Sequence, residues 1–451
     1  MTPSFLRPAD QAADTNWRLF LWFRLLFSCR FYYPVLAVLF LDLGLTATEY
    51  TLLNVAWAAA SLLSDIPAGV LADRFGRKPL LVASGFCMVL EMSLLLAAPL
   101  HGGMVLFLFC LANRLLSGLS EGLASGADEA LVYDSLAERG REGQWHQVLE
   151  QVTRWQSVGM VVAMLIGGAI YAPGFMNTIL GAVGFHPQLS QGITLRFPVY
   201  LTLVSSLGVL LLALRFQEPK KRGIPCAIED PEGHHASSMT GAFSFVMAAG
   251  TWLLSSPLAL FVVIAGLLLD SCVRLFLTFS SSYLRLIGMP EASFGLLGAI
   301  MAGLGFFVSP WARKMVATRT VGQSFAIISA IVLLGLCGVA LHLRYWGILF
   351  AFPLGAAMTL IGFTVSSYLN TLVDSHHRAT VLSFKGFAFN LAYGGVSLLF
   401  ALALQYLHGA TTGDIVGKAF ALLPFWLVLV WAALLIAFRK HRKLIAQRLV
   451  A

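Results

Sequence analysis

The chain has 451 residues, of which 58% are hydrophobic and only 12% charged, with a mean hydropathy of +0.80. Soluble domains carry about 25% charged residues, so soluble enzymes and soluble binding modules are excluded. The net charge of +8 does not point to nucleic acid either. Lys and Arg gather in the N-terminus, in alternate loops and in the C-terminal tail, whereas Arg196, Arg285, Arg344 and Lys418 fall in the opposite loops. By the positive-inside rule that bias places both termini in the cytoplasm, in a multi-pass protein of the cell inner membrane. The apolar residues come in runs long enough for helices to cross a hydrocarbon layer ~30 Å thick. The short alternating segments of a membrane barrel are missing. Of the six cysteines, Cys29, Cys87, Cys110, Cys272 and Cys337 sit in apolar runs and Cys226 in a loop. No Cys or His cluster has metal-ligand spacing, so neither a metal nor a disulfide framework is expected. The N-terminus lacks a cleavable signal pattern, and the first helix is expected to stay.

The runs predict twelve spans, near 18–42, 49–72, 79–100, 104–128, 150–172, 197–215, 257–281, 291–311, 321–342, 346–370, 380–406 and 419–438. In span one, Arg30 lies at mid-depth beside Tyr32 and Tyr33, with Pro34 permitting a break. A cation among aromatic rings suits an anionic or amphipathic ligand, although Arg30 would equally neutralise Glu91 or Glu121. Arg24 lies about 120° round the helix from Arg30, so the two are not expected to act together. Between spans two and three comes Gly69-Val70-Leu71-Ala72-Asp73-Arg74-Phe75-Gly76-Arg77-Lys78, preceded by Asp65-Ile66-Pro67. Gly76 suits a left-handed turn, Asp73 would pair with a guanidinium or face a helix N-terminus, and the bases hold the loop in the cytoplasm. This string resembles the G-x-L-A-D-R-x-G-R-K signature of the major facilitator superfamily, in the loop between its second and third helices. The resemblance implies an all-α polytopic membrane protein with twelve transmembrane helices in two pseudo-symmetric six-helix bundles. It also gives Asp65, Gly69, Asp73, Arg74, Gly76, Arg77 and Lys78 a gating or structural role.

A charge at the centre of a membrane helix costs at least ~2.5 kcal/mol, so it needs a partner or a wet cavity. Arg114, Gly118, Glu121, Ser125 and Asp128 of span four share one face at helical spacing. The arginine four residues before a glycine resembles the superfamily's fourth helix, where it is implicated in proton handling. Arg114, Glu121, Glu91 and Asp128 are therefore the proton-coupling candidates. The ending Ser125-Gly126-Ala127-Asp128-Glu129-Ala130-Leu131-Val132-Tyr133-Asp134-Ser135-Leu136 also resembles members of the superfamily. Its acids would tie helix ends together through Arg74, Arg77 or Arg378. In span five, Gly167-Gly168 permits close packing, but Ala163-Met164 stands where the superfamily's drug–proton antiporters carry Gly-Pro.

The chain divides into an N-terminal six-helix half at 1–215, a cytoplasmic linker at 216–256 and a C-terminal half at 257–451. The linker holds His234-His235, expected to be solvated, and an amphipathic surface helix over Phe243–Leu254. Gly44-Leu45-Thr46-Ala47-Thr48-Glu49-Tyr50-Thr51-Leu52-Leu53 and Gly288-Met289-Pro290-Glu291-Ala292-Ser293-Phe294-Gly295-Leu296-Leu297 both follow G-[LM]-x4-[YF]-x-L-L. Such duplicated halves are a transporter trait, with the site near the midplane. In the second half, Asp270 and Arg274 are spaced for an intrahelical pair. Asn370, Asp374, Arg378-Ala379-Thr380 and Ser383 resemble the superfamily's entry into its eleventh helix, and Lys385, Asn390 and Tyr393 follow. The substrate-cavity candidates are Arg30, Tyr32, Tyr33, Asp270, Arg274, Lys385, Asn390 and Tyr393.

Together these features predict a monomeric secondary active transporter for a small organic solute. It would work by alternating access, coupled to protons or another ion, with no cofactor and possible in the direction of efflux. No phosphate-binding P-loop is present to couple it to ATP, and no nucleophile–base set suggests an enzyme. Lipid or lysolipid transport, and a non-transporting sensor on the same fold, stay open as alternatives.

Overall fold

A backbone in hydrocarbon has no water to bond, so its N–H and C=O groups must be satisfied within each segment, which favours helices. The structure is a computed structural model that describes residues 8–186, 188–218, 250–373, 378–407, 409 and 411–446; side chains at 8–14, 66, 73, 142, 146, 302, 378–380, 382 and 383 are not described. Among the described residues every regular element is helical. The order begins α1 Pro8–Ser28, α2 Leu36–Leu43, α3 Ala47–Phe75, α4 Arg77–Ala97, α5 Gly103–Ala124 and α6 Ala127–Ala137. It continues with α7 Trp145–Tyr171, α8 Pro173–Ala182, α9 Gln191–Thr194 and α10 Phe197–Arg215. After the linker come α11 Pro257–Thr278, α12 Ser280–Leu286, α13 Phe294–Thr318, α14 Val321–Ala340 and α15 Ala351–Leu372. The last are α16 Arg378–Tyr406, α17 Thr412–Ala437 and α18 Arg442–Ile445. Eleven described segments are long and apolar enough to cross a membrane, and the number is twelve if α7 and α8, bent by 88°, count as one span.

The chain forms two compact units. The first comprises Met1–Tyr33 and Ala59–Phe243, the second Pro34–Ala58 and Ser244–Ala451. The division therefore runs through spans one and two as well as through the linker. Of the expected surface helix, residues 250–255 are helical and 243–249 lie outside the described residues, as does His234-His235.

In the first unit, Phe20, Phe23, Leu81, Met88, Leu131 and Phe216 form a buried core. Phe23 meets Phe216 edge-on at 5.8 Å. Two glycines set how closely its helices approach. A Cβ on Gly85 of α4 would lie 2.9 Å from the Leu210 Cα of α10, and one on Gly167 of α7 would lie 1.7 Å from the Phe31 carbonyl oxygen. Gly167 thus does what the Gly-Gly pair promised, against the backbone of span one where that span is broken. The break runs from Cys29 to Tyr32 and passes through a short 3-10 turn, Tyr33–Val35, into α2.

In the second unit an aromatic cluster of Phe276, Phe279, Tyr283, Phe400 and Phe420 binds α11, α12, α16 and α17. The sequence repeat is also a repeat of conformation. Gly44 (φ +116°) ends α2 and Gly288 (φ +78°) follows α12. Both helices close with the same pair of bonds, Gly44 N–H to Leu41 and Leu45 N–H to Phe40, then Gly288 N–H to Arg285 and Met289 N–H to Leu284. Only glycine adopts these angles without strain. The hydroxyl of Ser281 in α12 accepts from the backbone N–H of Ala37 (3.1 Å) and Val38 (3.3 Å) in α2.

Two local expectations change. The single polar stripe from Arg114 to Asp128 is cut, because α5 ends at Ala124 and Gly126 turns the chain with φ +73° before α6 begins. Asp128 therefore belongs to a separate helix from Arg114 and Glu121. Gly76 has positive φ as expected, but at φ +93°, ψ 168° it is not in the left-handed helical region. It is the N-cap of α4, in an extended mirror conformation open essentially to glycine alone.

Candidate functional site

In the first unit, the break in span one carries the Arg30 guanidinium into the protein interior. Its Nη1 pairs with Glu91 of α4, and the two side chains are 2% and 0% exposed. The same nitrogen reaches the Tyr32 hydroxyl and Ser117 Oγ, both at 3.4 Å. Phe27 and Tyr33 lie under the cation at 5.4 and 5.8 Å. Asn113 of α5 donates to the Glu91 main-chain carbonyl at 2.7 Å, fixing α4 against α5. Glu121 and Arg114 lie within electrostatic reach of this group, and Arg114 is buried. The pair is sealed yet not saturated, for Arg30 Nη2 and Glu91 Oε2 are buried without a hydrogen bond. A buried pair at this depth is costly to break, about 3–5 kcal/mol when one partner is removed. Of the alternatives open to Arg30, the structure takes Glu91.

A second group ties helix ends together. Arg24 of α1 donates to Asp128 (2.9 Å) and to Glu129 (3.0 Å) of α6. Arg30 lies past the end of α1, in the break, so the helical offset drawn between it and Arg24 does not apply. Arg77 donates to Asp134, also on α6, so of the three bases considered for that acid it is Arg77 that binds it. Glu218 accepts from the backbone N–H of both Arg77 and Lys78 at 2.8 Å. The anionic partner of the α4 N-terminus is thus Glu218, in a position where the helix dipole favours negative charge. The side chain of Asp73 lies outside the described residues. Arg74 is exposed over Phe75 at 5.3 Å, Asp65 is exposed, and a Cβ at Gly69 would meet nothing within 4 Å. Asn16, which sequence reasoning passed over, bonds Ser135 Oγ at 2.8 Å and both backbone groups of Gln217.

In the second unit, Asp270 and Arg274 form the intrahelical pair expected of their spacing, at 2.8 Å. Arg274 Nη1 donates to Asn390 Oδ1 at 2.9 Å, and the guanidinium lies over the Tyr393 ring at 5.3 Å. The Tyr393 hydroxyl bonds Thr278 Oγ1 at 2.9 Å. Lys385 does not extend away from the protein. Its Nζ donates to Ser366 of α15 at 2.8 Å and stands 5.8 Å from the Phe389 ring. Asp270, Arg274, Asn390 and Tyr393, separated by up to 123 positions, are thereby gathered from α11 and α16, with Lys385 in electrostatic reach of Asp270. Asp374, and the side chains of Arg378, Ala379, Thr380 and Ser383, lie outside the described residues.

A third charged group, also unforeseen, joins α2, α12 and the following turn. Arg285 holds Asp42 through both carboxylate oxygens (2.6 and 2.7 Å) and Glu291 at 2.5 Å. The i,i+6 spacing of Arg285 and Glu291 across a glycine turn was the one readable signal for it.

Comparison with known proteins places these groups in context. A family model described as Major Facilitator Superfamily matches residues 19–397. Tetracycline resistance protein, class C, of Escherichia coli is 26% identical over 347 residues, 74% of each chain. Quinolone resistance protein NorA of Staphylococcus aureus is 28% identical over 191 residues, 42% of this chain and 41% of that one. Among solved structures, nucleoside transporter NupG matches with a TM-score of 0.70 at 13% identity, over 95% of this chain and 99% of its own. A bacterial homologue of the human lysosomal transporter Spinster matches with a TM-score of 0.64 at 13% identity, over 96% and 98%. At such identities the structural likeness is one of fold.

Proposed function

The chain belongs to the major facilitator superfamily, and from that premise we propose that it is a secondary active transporter that exports a small organic solute in exchange for protons. The halves 1–215 and 257–451, joined by 216–256, alternately open the site to either side of the inner membrane, with both termini in the cytoplasm and the monomer as the working unit. The observation that carries the coupling is the Arg30–Glu91 pair: both side chains are sealed, and one Glu91 oxygen has no hydrogen-bond partner. A carboxylate in that position has room for a proton, and protonation would release Arg30 from its ionic partner. Because a buried charge pair strongly resists being half-broken, proton arrival would be felt along the broken stretch of span one. Glu121, within reach of Arg30, is the second carboxylate of the relay. The export direction is supported by relatives named for tetracycline and quinolone resistance, since removal of a compound is the direct way for a membrane transporter to confer resistance.

The test is transport into proteoliposomes under an imposed pH gradient, with tetracycline and a fluorescent quinolone as probes. Glu91→Gln is expected to abolish gradient-driven accumulation while solute exchange without a gradient persists. Gradient-driven accumulation that survives in both Glu91→Gln and Glu121→Gln would refute the coupling.

A further inference from the structure

We infer that the Asp270–Arg274–Lys385 cluster of the second unit is an anion subsite that takes the carboxylate of an organic solute. The inference rests on the transport reading above and names the class of solute for it. Charge is the first ground. In the first unit, among the described residues, the carboxylates at least match the cations: Arg30 and Arg114 stand against Glu91 and Glu121, with Asp65 within reach of Glu121. In the second, two cations, Arg274 and Lys385, stand against one carboxylate, Asp270, among the described residues. Asp270 is paired with the cation one turn along its own helix, and among the described residues the hydrogen-bond partner of Lys385 is the neutral hydroxyl of Ser366, with Asp270 in electrostatic reach. Lys385 stands at the start of its apolar span, Phe384–Tyr406; an excess positive charge inside a span is unfavourable, and a bound anion would relieve it.

Access is the second ground. The Arg30–Glu91 side chains are closed to solute, but that of Arg274 is 24% exposed and Lys385 is half-buried. Among the described residues the donors are also unsaturated: Arg274 Nε makes no hydrogen bond, and Lys385 makes one of the three an ammonium can make. The third ground is order. The buried Phe389 and Tyr393 rings lie under the two cations and hold them in place before a ligand arrives.

The experiment measures binding of 1-naphthoate and its neutral isostere 1-naphthamide to the purified full-length protein, by thermal shift and equilibrium titration. Naphthoate is expected to raise the melting temperature and to outcompete naphthamide. Lys385→Gln should weaken naphthoate about tenfold or more, the worth of one charge-assisted bond, and leave naphthamide unchanged. Lys385→Arg should restore most of the preference, which separates loss of charge from loss of fold. Arg154→Gln, on an exposed face of α7, should leave the preference intact. Equal binding of the two probes, no binding of naphthoate, or a naphthoate preference that survives Lys385→Gln would overturn the inference. Proton-driven transport of a neutral probe without naphthoate binding would sink this inference and spare the transport reading. Naphthoate binding with no gradient-driven movement of any solute would do the reverse.

Discussion

Replacing Gly167 by alanine should destabilise the first unit and disturb the group around Arg30. The new methyl would lie 1.7 Å from the Phe31 carbonyl oxygen and 2.7 Å from the Phe31 carbonyl carbon. Ordinary contact begins near 3.4 Å, so α7 and the broken stretch of span one must separate by about 1.7 Å. The obstacle is backbone, which cannot rotate away as a side chain would. Overpacking of this kind costs about 1–3 kcal/mol. The shift also strains the bond from the Phe31 N–H to Thr202 Oγ1, 3.0 Å long and worth about 1 kcal/mol. Alanine's better helix propensity returns up to about 1 kcal/mol, leaving a net loss of about 1–3 kcal/mol. Denaturant titration in mixed micelles would read this loss, with Gly69→Ala as control. A methyl on Gly69, also inside a helix, meets nothing within 4 Å and should be neutral or mildly stabilising. Equal stability of Gly167→Ala and wild type would refute the close approach on which the placement of Arg30 depends.

Gly76→Ala meets two obstacles at once, a φ of +93° and the Glu218 carboxylate 3.0 Å from the new Cβ; it should cost about 2–4 kcal/mol in the same titration. Glu218→Gln should cost less, and the double variant less than the sum, because both act on the cap of α4. Arg30→Met with Glu91→Leu should recover most of the stability that either single change loses, since an apolar pair replaces a buried ionic one; transport should not recover with it. His342, in the turn after α14, rests against Gly417, and burial holds its imidazole below the usual 6.5. The folded state therefore binds this proton less readily than the unfolded one. Its stabilising contribution is full above pH 6.5 and declines as pH falls below it, and His342→Gln should flatten that part of a melting-temperature profile against pH.

What was legible in the sequence was what is local in the chain. Twenty-residue apolar runs announce spans, Pro34 announces a break, and the i,i+4 spacing of Asp270 and Arg274 announces a pair. Matched glycines at 44 and 288 announce matched turns. Helical extrapolation failed where one residue overrode it: Gly126 interrupts span four, so a face drawn from Arg114 to Asp128 joins residues of two helices. The remaining contacts link residues far apart. Glu218 caps a helix 140 positions earlier, Arg24 clasps an acid 104 positions away, and Arg285 reaches back 243 to Asp42. Charge alone marks these residues as needing partners; only the packing of helices selects which. The i,i+4 pair was the exception because its two members share a helix.

Ala37 and Ser281 are 244 positions apart, the interval that also separates Gly44 from Gly288. They are therefore the same residue of the repeat, counted twice. α2 and α12 therefore meet through corresponding positions of the repeat. The bond between them runs one way, from the alanine's backbone to the serine's hydroxyl. The two copies are thus unequal at this contact: where one carries alanine, the other carries the hydroxyl that makes the bond.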